Sequence, residues 1–197
     1  MNLRMFLRIM VAAAMLAALP LTSSAQPSRQ NSNLGLKLNV GVGNQRLTSS
    51  QNLETGDAAA LHLGYGVSQN VTLWLGLQGS AHKHNDNANL ESNVGGLELN
   101  LQYKLRPYEK FRPYGKVGLG GFVQETEATQ TTLTGGGIVW AVGADYRLFR
   151  FLSIGGEFFW KDFDYERLRL GENNEFTDLN DPIRGNSNGF MLNIIIH

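Results

Sequence analysis

Ser80 and His82 lie two residues apart in an alternating stretch, so an extended chain presents them on one face, and His62 lies in a similar stretch upstream. A serine beside a histidine is the start of an acyl-transfer site, because the imidazole can take the hydroxyl proton. Such a site also needs a group that orients the histidine and donors for the oxyanion, and neither has a signature here. The expectation is a polar cluster, with Ser80 and His82 kept as the candidates for catalysis. His82 and His84, with Asp86 nearby, give too few ligands for a metal centre. Asp164, Glu166, Glu172, Glu175, Asp178 and Asp181, set against Arg167, Arg169 and Arg184, match no calcium-loop spacing and read as a solvated acidic surface. Thr134-Gly135-Gly136-Gly137 precedes a strand pattern and not a helix, so it is not a phosphate loop. The chain has no cysteine, which excludes thiolate chemistry and disulfides. No metal and no cofactor is expected.

The elements that would carry these residues follow from periodicity. Leu34, Leu36, Leu38, Val40 and Val42 alternate with Gly35, Lys37, Asn39, Gly41 and Gly43. The pattern recurs at Ala59–Val67, Val71–Ala81, Leu97–Leu105, Pro113–Val123, Ile138–Leu148, Leu152–Trp160 and Phe190–Ile196. Eight such strands can close an antiparallel up-and-down barrel, each long enough to cross a bilayer at a tilt. Three descending strands place Tyr65, Tyr103 and Tyr146 at one height of the apolar face. Short links at Ser68–Asn70, Arg106–Arg112 and Phe149–Phe151 alternate with longer polar segments at Asn44–Asp57, Lys83–Asn93, Glu125–Gly136 and Phe163–Asn186. This predicts four surface loops at one end and tight turns, with both termini, at the other.

Alternation does not say which face points inward. A soluble lipocalin-like carrier would enclose its leucines around a ligand, whereas a transmembrane barrel turns them to lipid. The polar face carries many glycines, which suit the crowded interior of a narrow barrel, and charges of both signs: Lys37, Glu98, Lys104, Lys116, Asp145, Arg147, Glu157 and Lys161. These point to a transmembrane barrel with a compensated ionic core and no open pore for solutes. Tyr65, Tyr103 and Tyr146 would then form an aromatic girdle at the periplasmic interface, with Phe158 and Trp160 at the outer rim.

The N-terminus has Arg4 and Arg8, an apolar run from Ile9 to Leu21, and the small residues Thr22-Ser23-Ser24-Ala25 before Gln26. This predicts a signal peptide over 1–25 with cleavage between Ala25 and Gln26, a short segment over 26–33, and a barrel domain over 34–197. Cleavage removes two arginines and no acid from a chain of zero net charge, so the remainder is slightly acidic and no nucleic-acid binder.

Arg112-Pro113-Tyr114-Gly115-Lys116-Val117-Gly118-Leu119-Gly120-Gly121 resembles the fifth strand of small outer-membrane barrels of the outer-membrane-protein-A/X and opacity-protein type. The resemblance covers nearly all of the chain after Ala25. It implies a monomer inserted in the bacterial outer membrane by the outer-membrane assembly machinery. Its partners would be the bilayer, lipopolysaccharide and an extracellular protein met by the loops, and its role structural or interactive. Such barrels usually end in an aromatic residue, whereas this sequence ends Ile194-Ile195-Ile196-His197; no peptidoglycan-binding domain is expected after it. Some barrels of this size are lipid A deacylases or acyltransferases, which makes that the alternative for Ser80 and His82, although the deacylases have a His-x-Ser order and this chain has Ser-x-His.

Overall fold

The computed structural model describes residues 33–48, 54–84, 87–126, 130–171 and 175–197. The signal peptide with its Ala25/Gln26 cleavage, and most of the 26–33 segment, lie outside the described residues. Eight strands form a closed antiparallel barrel in chain order: β1 (Gly35–Leu47), β2 (Gly56–Gly66), β3 (Val71–His84), β4 (Asn87–Lys104), β5 (Phe111–Thr126), β6 (Thr131–Phe149), β7 (Leu152–Leu170) and β8 (Thr177–Ile196). Each strand pairs with its sequence neighbour, and β1 closes the ring on β8 from Leu38↔Ile196 to Leu47↔Ser187. Closure leaves no free edge over this height, so the ring satisfies its own backbone hydrogen bonds, as a bilayer interior demands.

The leucine face points outward. Leu63, Leu75, Leu99, Leu101, Val117, Ile138, Leu192 and Ile194 are exposed, while the alternate residues Lys37, His62, Glu98, Asn100, Lys116, Asp145 and Asn193 are buried in the lumen. This is the arrangement of a lipid-facing barrel and the reverse of a carrier that encloses its apolar face. Lumen glycines make room for bulky neighbours. A Cβ on Gly64 would lie 2.4 Å from the Trp74 ring and one on Gly76 would lie 2.2 Å from the His62 ring.

The long polar loops expected from the sequence are for the most part strand. β4 begins at Asn87 rather than Leu97, β6 at Thr131 rather than Ile138, and β8 at Thr177 rather than Phe190, while β7 runs on to Leu170. Above Trp160 the outward residues of β7 become Asp162, Asp164 and Glu166, so the apolar alternation that marks a strand disappears although backbone pairing continues to Thr131↔Leu170 and Leu168↔Thr177. The β1–β8 register ends at Leu47↔Ser187, and Pro182, a residue without an amide donor, falls in the irregularity between Tyr165↔Ile183 and Arg167↔Asp178, where β8 has no register partner on β7. The connections at this end shrink to 48–55, 85–86, 127–130 and 171–176. Gln130 and Gly171, at the ends of two of them, take positive φ of 47° and 67°.

Candidate functional site

The lumen is the chemically rich part of the molecule, and it is stratified. At the base, level with the outward Tyr103 and Tyr146, Asp145 holds two cations: Lys104 Nζ donates to Oδ2 at 2.8 Å and Arg112 Nε donates to Oδ1. Arg112 also donates to Ser153 Oγ at 2.7 Å, and that hydroxyl meets His197 Nε2 at 2.8 Å. Lys37 donates to Asn33 Oδ1, and Asn33 closes the floor through its own amide, 3.0 Å from Thr72 Oγ1. Higher up, Lys116 pairs with Glu157 at 2.6 Å, and Tyr114 Oη donates to the same carboxylate at 3.0 Å. Trp74 Nε1 donates to Gln102 Oε1 at 2.9 Å.

The third pair is Lys161 with Glu98, extended by Lys161 Nζ to Gln78 at 2.7 Å, and the ammonium lies 5.1 Å from the ring centres of both Phe122 and Phe159. Above it the lumen turns apolar: Leu47, Val94, Phe122, Leu133, Val139, Phe163 and Tyr165 form one buried cluster. Phe163 packs on Phe122 with ring centres 5.0 Å apart and on Tyr165 at 5.1 Å, and Tyr165 Oη donates to Gln124 at 2.9 Å. Sequence reasoning assigned Phe163 and Tyr165 to a surface loop; they are a cap inside the barrel. The signal was in the spacing, because Phe159, Lys161, Phe163 and Tyr165 continue one alternating face.

All eight lumen charges named from the sequence are buried, and Arg112 joins them. Arg112 was missed as a lumen charge because it opens the Arg-Pro-Tyr segment, just before the strand that the alternation delimits. The core is not compensated. Among the described residues six buried cations (Lys37, Lys104, Arg112, Lys116, Arg147 and Lys161) face three buried carboxylates (Glu98, Asp145 and Glu157). On the outer face Tyr65, Tyr103 and Tyr146 are exposed on the base side, Phe158 is exposed nearer the other end, and Trp160 stacks on Trp140 at 4.7 Å.

Ser80 and His82 are brought together. Ser80 Oγ lies 2.8 Å from His82 Nε2, and His82 Nδ1 lies 3.0 Å from the Glu54 carbonyl, the orienting group that no sequence pattern showed. Both side chains are sealed, at 3% and 1% exposure. The pair lies above the apolar belt, where the outward neighbours are Asp57 and Lys83, and burial holds the His82 imidazole below its ordinary pKa against the raising effect of the Glu54 carbonyl. His62 is elsewhere, 3.3 Å from the Asn39 amide, and His84 meets Ser92 Oγ at 3.1 Å. Among the described residues no three His, Cys, Asp or Glu converge as metal ligands. Asp86 and Glu172 lie outside the described residues. Arg167 pairs with Asp178 at 3.2 Å on the exposed ribbon, and Arg169 lies over Phe176.

A family model for the outer membrane protein beta-barrel domain matches residues 11–191. The chain belongs to this family. No curated protein matches it. Among solved structures the barrel is similar to Neisserial surface protein A, with 11% identity, TM-score 0.57, 82% of this chain covered and 96% of that one. It is similar also to OprG of Pseudomonas aeruginosa, with 13% identity, TM-score 0.57, and 85% and 97% covered. A third is Ail, the attachment invasion locus protein of Yersinia pestis, with 10% identity, TM-score 0.54, and 83% and 98% covered. At these identities the likeness is one of fold: a small closed barrel of the bacterial outer membrane.

Proposed function

We propose that the protein is exported by a signal peptide cleaved after Ala25 and serves as a monomeric, non-conducting anchor that displays the β6–β7–β8 extension at the cell surface. The observation that carries this reading is the contrast along β7. Below Trp160 its outward face is made for lipid, and above it Asp162, Asp164 and Glu166 face outward while Phe163 and Tyr165 cap the lumen. The exposed Ile183, Phe176 and Leu170, interspersed with Arg167 and Arg184, suit contact with an extracellular protein or with lipopolysaccharide headgroups. Two of the similar structures bear names of the same kind, a surface protein and an attachment protein. Mass spectrometry of the outer-membrane fraction should find Gln26 as the first residue. Planar-bilayer recordings should show no conductance, and replacing 167–178 by a tight turn should abolish binding to host-matrix proteins without unfolding the barrel. Steady conductance, or binding unchanged by the shortening, refutes the display reading.

The enzyme reading rests on one observation, the Ser80–His82–Glu54 chain of hydrogen bonds. Its geometry suits proton transfer from the serine, but burial withholds both side chains from a lipid substrate. Release of fatty acid from lipid A that is lost in both Ser80→Ala and His82→Ala would establish it.

A further inference from the structure

The base of the lumen carries more positive charge than its side chains can neutralise. Lys37, Lys104 and Arg112 converge there with Arg147 beside them, and Lys37 feels the other three cations electrostatically. Asp145 is the one buried carboxylate of this layer among the described residues, and both its oxygens are already engaged, Oδ2 by Lys104 and Oδ1 by Arg112. Lys37 is left with a neutral acceptor, the Asn33 amide oxygen. Arg112 is fully buried and places Nε and Nη2 on partners, yet its Nη1 has none, and His197 Nδ1 in the same layer is also without one. Enclosing like charges out of water is costly unless a counter-charge accompanies them, and an orphaned guanidinium nitrogen adds the loss of a charge-assisted hydrogen bond.

We propose that this layer is a binding site for a single small inorganic anion taken from the periplasmic side, held between Lys37 Nζ and Arg112 Nη1. The anion supplies the acceptor that Arg112 Nη1 is without and the negative charge that Asp145 cannot give to a third cation. The layer lies at the height of Tyr65, Tyr103 and Tyr146, at the edge of the apolar belt and away from the hydrocarbon centre. The path to it crosses Asn33, whose side-chain amide donates to Thr72 Oγ1 and the Ser68 carbonyl and whose backbone N–H donates to the Gln69 side chain. Halides and phosphate share the chemistry the site requires, and a guanidinium beside an ammonium serves either one.

The test uses the refolded full-length barrel in detergent, with the thermal midpoint followed at constant ionic strength while chloride, or in a second series phosphate, replaces a bulky organic anion. An ion that binds only the folded state raises the midpoint with its concentration. The midpoint is expected to rise by several degrees in one of the two series, which identifies the ion as halide or oxyanion. It should stay flat in Lys37→Met, where one cation of the cluster is gone, and that variant should be the more stable form in anion-poor buffer. Lys83→Met, which removes an outward-facing exposed cation, should respond as the wild type does. Equilibrium dialysis of labelled chloride and phosphate against wild-type barrel decides the matter should Lys37→Met fail to fold: one ion bound per barrel supports the site. Flat midpoints in both series, an equal response in Lys37→Met, or no bound ion overturns it.

Discussion

The two ends of the lumen are closed by opposite chemistry. At the base, polar and charged side chains meet around Asp145, and almost every contact is a directed hydrogen bond. At the other end Phe122, Phe163, Tyr165, Leu133 and Leu47 close the barrel by packing, with the Tyr165 hydroxyl donating to Gln124. The Lys161–Glu98 pair lies between the two and belongs to both, ionic toward Glu98 and in contact with rings toward Phe122 and Phe159. One barrel wall accommodates both solutions because glycines leave room for the bulkiest neighbours, Gly64 across from Trp74 and Gly120 two residues before Phe122 on the same strand. The difference teaches where each end is vulnerable: the base to losing a charge, the cap to losing volume.

The largest effect is expected from Asp145→Ala, which leaves Lys104 and Arg112, both fully buried, without their carboxylate. Urea unfolding in detergent should register a loss of about 3–5 kcal/mol, the range for breaking a buried pair from one side. Adding Lys104→Met should recover part of it, since an apolar stem of similar volume does not need a partner. Equal stability of the single and double variants would show that charge does not govern the base.

Phe163→Ala tests the cap by volume alone. It empties the centre of the ring stack between Phe122 and Tyr165, for about 3 kcal/mol, and Phe163→Leu should cost clearly less. A further contrast lies along the β7–β8 ribbon. Replacing 167–178 by a tight turn removes the exposed Arg167–Asp178 pair and, at the margin of the cap, the half-buried Leu168, and should cost no more than about 1 kcal/mol. Cutting the ribbon back to Phe163 and Asn186 takes Tyr165 out of the lumen and should cost as much as Phe163→Ala. Equal costs for the two truncations would mean that Phe163 and Tyr165 are no cap.

Much of the wall was legible in the sequence because lipid imposes a strict alternation: the outward placement of Leu36, Leu63, Leu99, Val117, Ile138 and Ile194 follows from a period of two, and so does the inward placement of Lys37, Glu98 and Asp145. That same rule ends with the bilayer. From Asp162 the outward face is polar and the apolar Phe163 and Tyr165 point inward, so the pattern that marks the wall is reversed, and the upper halves of β6, β7 and β8 looked like loop although their backbones remain paired. The cap was hidden for the same reason, since Phe163 and Tyr165 were read with the acids around them and not with Phe159 and Lys161 below. Charge balance in the lumen was not legible either, because it depends on which residues of several strands meet at one height. Arg112 and Asp145 are adjacent only through the β5–β6 register.

The smallest expected effect belongs to His82, which lies near the cap but is held by hydrogen bonds, as at the base. In its neutral form Nδ1–H donates to the Glu54 carbonyl and Nε2 accepts from Ser80 Oγ, so both ring nitrogens are satisfied without a charge. Burial disfavours the imidazolium, and the pKa in the folded barrel lies below the ordinary 6.5. The unfolded chain therefore takes up a proton at a higher pH than the folded one does. Stability from this group is complete above pH 6.5, falls as the pH drops below that value, and is fully lost once the pH passes under the folded pKa. The slope cannot exceed about 1.4 kcal/mol per pH unit, the limit for a single proton. His82→Gln removes the titration and keeps a side chain able to donate and accept, so wild type and variant should diverge as urea midpoints are followed downward from neutral pH. Other histidines and carboxylates titrate in both proteins and cancel in the difference. Parallel profiles through this window would mean that His82 takes up its proton at the same pH in the fold as in the unfolded chain, whereas a wild type that gains on the variant as the pH falls would mean that the fold holds the imidazolium, with Ser80 Oγ accepting from it.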